Sequence, residues 1–298
     1  MSRRTAELLL ISIAVAWGFS WMFMKMGLEG LSPFNIVFLR FGVAFVVVGL
    51  LFFKRLRGMN KKTIRSAIIS GTILFGVTTC VLYGLTTTMA STGGFLISVS
   101  TVFVALIQLV LVRKFPGIAI TLSVLLMVVG VYFLTGAQGF DFDIGSLWIL
   151  LAAFLNAVYI TYVGRVPKEV DTFQLGTVQL GVAALLALAG TLITGTLDLP
   201  HSTSQWIGVL GLGIVCTAYC FVMQPVAQQH STPERAGVYW SSEALFAAIF
   251  AFIFLGERFA PLNYLGAALI FSAVIIALLD WEKIGAKFAR KKKPEESG

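Results

Sequence analysis

Charge is what this sequence lacks most: Lys, Arg, Asp and Glu make up 12% of its 298 residues, against 58% hydrophobic. A soluble domain carries about 25% charged residues to keep its surface in water, so an ordinary globular domain is excluded. Histidine is nearly absent. His201 and His230 both fall in loops without a second ligand at metal spacing, which leaves a zinc site and histidine-based catalysis unsupported. Cysteine is sparse too. Cys80, Cys216 and Cys220 sit inside apolar runs with no C-x-x-C, the pattern of small buried hydrophobes rather than of a disulfide or redox centre. No phosphate-binding loop, G-x-S-x-G or H-E-x-x-H occurs, so ATP is not the expected energy source and no hydrolytic centre is encoded. The expectation is a protein that is not an enzyme and needs no cofactor.

What the chain does have is apolar runs of about 20 residues, each able to cross ~30 Å of hydrocarbon at about 1.5 Å per residue. They predict an all-α membrane protein of ten transmembrane helices, over 7–27, 33–54, 64–85, 90–112, 117–136, 145–163, 172–194, 205–225, 235–255 and 261–280. Pro, Gly or charge marks the breaks, as at Ser32-Pro33, Pro116-Gly117, Pro167-Lys168 and Ala260-Pro261. No segment alternates like a barrel strand, so helices must satisfy the backbone in lipid. Ser2-Arg3-Arg4 and the run to Ala14-Val15-Ala16 have the outline of a signal peptide. The apolar stretch continues to Met26, however, which predicts a retained first helix.

Basic residues set the direction. With the N-terminus inside, nineteen of the 22 Lys and Arg fall in inside segments; Arg258 lies outside, and Lys25 and Arg40 lie within spans. This bias predicts cytoplasmic ends and a multi-pass protein of the inner (plasma) membrane. The net charge of +8 is therefore an orientation signal, and nucleic acid is not an expected partner. The tail after Trp281 mixes Ile284 and Phe288 with lysines and suits the anionic inner leaflet.

The two halves repeat. Pro33–Ala44 (PFNIVFLRFGVA) aligns with Thr172–Ala183 (TFQLGTVQLGVA) at an offset of 139, and Gly94–Val131 with Gly237–Val274 at an offset of 143. The organisation expected is a five-helix repeat over 1–137, a linker over 138–144, a second repeat over 145–281 and a basic tail over 282–298. Five is odd, so the second copy is inverted. Lys114 inside and its counterpart Glu257 outside agree with that. Inverted repeats with a site between them near the midplane are the architecture of a transporter.

Ser241–Ile275, SSEALFAAIFAFIFLGERFAPLNYLGAALIFSAVI, together with AWGFSWMFMK at Ala16–Lys25 and FLRFGVAF at Phe38–Phe45, resembles the EamA-type branch of the drug/metabolite transporter superfamily. The resemblance spans essentially the whole chain. Within it, Glu243 matches a glutamate of the ninth helix, and Leu255-Gly256-Glu257-Arg258 the turn before the tenth. Two positions depart: Ala244 stands where a proline usually follows the glutamate, and Val112-Arg113-Lys114 replaces Gly-Glu-Arg in the first half. The resemblance implies a secondary carrier that commonly exports amino acids or other small metabolites.

Candidate site residues follow from polarity in the wrong place. Glu243 lies within the ninth span, with Tyr239, Phe246 and Phe250 on its face and Trp240 beside it. A carboxylate there costs a few kcal/mol if it faces lipid. Two readings stand side by side: a substrate-amine or proton-coupling group, and a structural buried hydrogen bond. Arg40 is its counterpart in span two. The pair could form a breakable gate, hold the two ends of a zwitterion, or make a permanent salt bridge. Trp17, Tyr83 and Trp240 are candidate cavity walls among many aromatics that include Trp21, with Asn156, Ser100 and Gln108 as polar additions. The strip Gly94, Ser98, Thr101, Ala105 and Gln108, with its ninth-span equivalents, predicts close helix packing. Gly93-Gly94, Gly76 and the region of Ala244 are the expected flexible points. An aromatic-walled pocket with one acid and one base suits an apolar or aromatic amino acid, moved outward by alternating access. The alternatives are proton-coupled export of cationic drugs and, outside transport, a channel or membrane scaffold. Partners expected are the substrate, the bilayer and protons, in a monomer or weak dimer.

Overall fold

A computed structural model describes residues 1, 3–88, 90–112, 117–133, 144–255 and 261–278. The expected linker over 138–144 except Ile144, the tail after Trp281 and the Gly256-Glu257-Arg258 turn lie outside these. Among the described residues the structure is helical, with no strand. The elements are α1 (Arg3–Leu28), α2 (Pro33–Leu51), α3 (Lys61–Leu85), α4 (Ala90–Ser98), α5 (Ser100–Val112), α6 (Ile118–Val131), α7 (Ile144–Val163), α8 (Thr172–Thr194), α9 (Thr203–Leu210), a π-helical segment (Gly211–Tyr219), α10 (Cys220–Gln228), α11 (Pro233–Ser241), α12 (Glu243–Leu255) and α13 (Pro261–Leu278).

Local chemistry sets the boundaries. Side chains of Ser32, Asn60, Asp171, Ser202 and Thr232 accept from backbone N–H groups in the first turns of α2, α3, α8, α9 and α11. Each satisfies donors that the first turn leaves orphaned. Gly195 ends α8 in the left-handed conformation, φ 64°, which suits a residue without Cβ. Span two stops at Leu51 rather than at 54, because Phe52 closes it by donating back to Val48.

Among the described residues six helical runs are long and apolar enough to cross a membrane: Arg4–Leu28, α2, α3, α7, α8 and the continuous Thr203–Gln228. Shorter apolar helices accompany them. The wall carries exposed apolar side chains such as Leu50, Val110, Ile118, Leu185 and Ile193, which lipid tolerates and water would not.

Two of the expected spans are broken. The 90–112 segment is interrupted at Val99, and the 235–255 segment at Ser242. The breaks stand 143 positions apart, the offset at which the sequence halves align there. They also meet: α4 packs on α12 and α5 on α11, so the two broken helices cross antiparallel. At the crossing Thr101 Oγ1 bonds to Ser241 Oγ and donates to Gly237 O at 3.2 Å. The strip of small residues therefore packs helix on helix, as its spacing predicts.

The remaining packing is paired in the same sense. Helix α1 lies against α11 and α12 and against the α9–α10 run, while α7 lies against α4 and α5 and against α3. Helix α2 packs on α8, and α6 on α13. A Cβ on Gly130 would come within 2.9 Å of Gly266 O, so the last of these contacts needs glycine at that point.

Candidate functional site

Arg40 is the most anomalous side chain in the interior. Midway along α2, it is only 4% exposed. Its Nε donates to Thr217 Oγ1 at 3.0 Å, and Nη1 lies 4.0 Å from Met24 Sδ. Arginine does not give up its proton in proteins, so the charge stays. Among the described residues no carboxylate forms an ion pair with it; the Arg40–Glu243 bridge foreseen as one alternative is not made.

The π segment supplies the other side of Arg40. A π turn widens the helix and leaves backbone groups open to outside partners. Here Trp17 Nε1 donates to Cys216 O at 3.1 Å, one residue before Thr217. Cys216 and Cys220 turn their thiols onto α1, to Ala16 O and Ile13 O, which fits small buried hydrophobes.

Glu243 opens α12, directly after the break at Ser242. It is partly buried and accepts from Trp21 Nε1 at 2.5 Å. The positive end of the half-helix dipole favours a carboxylate at this position. Ser100 holds the same place in α5, 143 positions earlier, and Asn156 Nδ2 of α7 reaches its Oγ at 3.5 Å. Both half-helices thus begin on a polar side chain met from another helix: Trp21 of α1 in one case, Asn156 of α7 in the other.

Aromatic rings line the space between. Trp17 lies 5.8 Å from Trp240 and 5.3 Å from Phe221, and Phe221 in turn lies 5.8 Å from Phe41, the neighbour of Arg40. Tyr159 joins at 6.5 Å. Tyr239 is fully buried, and the buried Nε1 of Trp240 has no hydrogen-bond partner. Pro225 inside α10 lacks the N–H that would bond Phe221 O; Gln179 Nε2 fills that place at 2.9 Å and holds Tyr159 through its Oε1.

Two candidates fall elsewhere. Tyr83 packs against Phe34 and Trp148 near the C-terminal end of α3, not in the Trp17 cluster. Gln108 Oε1 is taken by Arg165 Nη2 at 2.6 Å, a tie between α5 and the end of α7. Sequence reasoning left out Trp21, Thr217 and Gln179. Trp21 stands one turn beyond Trp17 on α1 and was traceable by that spacing; a lone Thr or Gln in an apolar run gives no such signal. Among the described residues no group of His, Cys, Asp and Glu could hold a metal ion.

The EamA-like transporter family model matches residues 4–136 and again residues 143–279. The chain belongs to that family. This EamA-like protein is therefore a membrane transporter of small molecules, not an enzyme, and the scaffold reading falls away. It is 28% identical over 279 residues to an uncharacterized transporter of Archaeoglobus fulgidus, covering 94% of this chain and 87% of the relative. It is 22% identical over 269 residues to the uncharacterized transporter YoaV of Bacillus subtilis, covering 88% and 92%. A solved protein structure matches with a TM-score of 0.77 at 19% identity, over 95% of this chain and 99% of that one, which speaks to the fold alone.

Proposed function

We propose that this EamA-like protein carries a zwitterionic metabolite, an apolar or aromatic amino acid, outward across the plasma (inner) membrane by alternating access. The observation that carries the reading is the buried Arg40 guanidinium, which has no carboxylate partner among the described residues. An unpaired buried charge costs several kcal/mol, and a fork of donors matches a substrate carboxylate. Glu243 takes the amine, or a coupling proton in its place, and the Trp17, Phe221 and Trp240 rings take the side chain.

Two inverted five-helix repeats, ten spans in all with both ends cytoplasmic, form the moving parts in this proposal. The antiparallel crossing at Val99 and Ser242 supports it. So does the helix packing, in which exchanging one half for the other returns the main pairs. The protein acts as a monomer or weak dimer. Export of cationic drugs fits less well, because a fixed cation shares the interior with Glu243.

Counterflow in proteoliposomes tests the reading with leucine and phenylalanine, their amides, and cationic dyes. The amino acids are expected to exchange and the amides to exchange at least ten times more slowly. If Arg40→Gln and Glu243→Gln both match the wild type, or only the dyes exchange, the proposal is wrong.

A further inference from the structure

We propose that the cleft between the C-terminal ends of α5 and α7, apolar along its walls and basic at its rim, binds an anionic phospholipid. The cleft holds about 400 Å³ and is walled by Ile107, Leu111, Val158, Tyr162 and Val166. It continues the lipid-facing surface of both helices. Leu106 and Val110 on α5 and Phe154 on α7 are exposed apolar residues about one turn or less away, and the exposed Leu151 lies a further turn along α7. One turn before Ile107 and Val158, Phe103 and Phe154 bring the two helices together, their rings meeting edge to face at 5.8 Å.

Its other end is polar. Arg165 lines the rim, and Gln108 Oε1 holds its Nη2 at 2.6 Å, which orients the guanidinium and leaves its remaining donors for an anion. Thr161 also lines the cleft, is 5% exposed, and its Oγ1 has no partner among the described residues. Gln108 Nε2 is buried and unpartnered as well. Apolar walls, a cation and an unused buried hydroxyl side by side fit one kind of molecule: an acyl chain ending in a phosphate. Lys168, three residues beyond Arg165, adds charge complementarity. Neither the substrate nor the transport direction enters this argument.

The test is thermal unfolding of the detergent-purified full chain. It is titrated with phosphatidylglycerol, with phosphatidylcholine of the same chains, and with inorganic phosphate. Phosphatidylglycerol is expected to raise the midpoint by several degrees, phosphatidylcholine by less than half as much, and phosphate not at all. Arg165→Gln and Val158→Trp, the second filling the cleft, should each remove at least half of the phosphatidylglycerol shift. Lys61→Gln, in the shallower basic groove lined by Lys61, Ile64, Arg65, Ile68 and Ile69, should keep it. Equal shifts with both lipids, a full shift with phosphate alone, or loss in Lys61→Gln but not in Arg165→Gln would each overturn the proposal.

Discussion

The indole Nε1 of Trp21 donates to the Glu243 carboxylate over 2.5 Å, joining α1 to the first turn of α12. A hydrogen bond to a charged group contributes about 1.5–3 kcal/mol. Trp21→Phe keeps the ring and removes the donor. The expected outcome is a roughly 10- to 100-fold rise in half-saturating substrate concentration, since about 1.4 kcal/mol is a factor of ten, with the unfolding midpoint little changed. Counterflow kinetics measure the first quantity and thermal unfolding the second. A large loss of stability with unchanged affinity would make this bond structural.

Thr101 and Ser241 tie the broken helices where they cross. Thr101→Val and Ser241→Ala should each lower stability by about 1 kcal/mol, and the double variant by clearly less than the sum. Denaturation of all four proteins gives the coupling. Additive losses would mean that the two hydroxyls do not depend on each other.

Gln179 stands in for the N–H that Pro225 cannot offer to Phe221 O. With no water in a packed bundle to replace it, Gln179→Leu should cost about 1–3 kcal/mol. Pro225→Ala restores a backbone donor four residues after Phe221, so in the Gln179→Leu background it should recover much of that loss. Recovery in the double variant, measured by unfolding, distinguishes this account from simple packing damage at Gln179.

The loop between α8 and α9 is clasped to α2 by Asn35 Nδ2, which donates to Asp198 O at 2.5 Å. The Asp198 carboxyl is held below the ordinary carboxylate range, first by its hydrogen bond from His201 and then by the Leu199 N–H. A folded pKa below the unfolded one, about 3.9 for Asp, stabilises above the unfolded value. That stabilisation is lost as the pH falls through the folded value. The site is exposed, so the effect is small. Hydrogen exchange over residues 196–204, compared at matched pH, should show His201→Ala loosening at a higher pH than the wild type. Coincident profiles would remove His201 from the clasp.

Much of the fold was legible because the solvent imposes it. Membrane-length apolar runs follow from hydrocarbon thickness and backbone satisfaction, and the punctuation at Pro33, Pro167 and Pro261 and the matching halves could be read directly. The break at Val99 was not legible, whereas the one at Ser242 falls two residues before Ala244, in one of the expected flexible regions. Neither residue is a proline or glycine, and the expected flexible points at Gly93-Gly94 and Gly76 fall inside α4 and α3. The site was half legible. Arg40 and Glu243 stand out because charge in an apolar run demands a reason. Tyr83 and Gln108 were grouped with them only because aromatic and amide side chains within spans attract the same suspicion.

The amino-acid sequence by itself determined that this chain lives in lipid, that its halves match, and that Glu243 and Arg40 stand within apolar spans. Only the tertiary structure decided that Arg40 meets Thr217 and Glu243 meets Trp21 instead of each other. The reason is physical: helices that are apolar on nearly every side carry no stripe to say which face turns inward. Partners were chosen by close packing of small residues and by whichever donors the π segment and the broken helices left open.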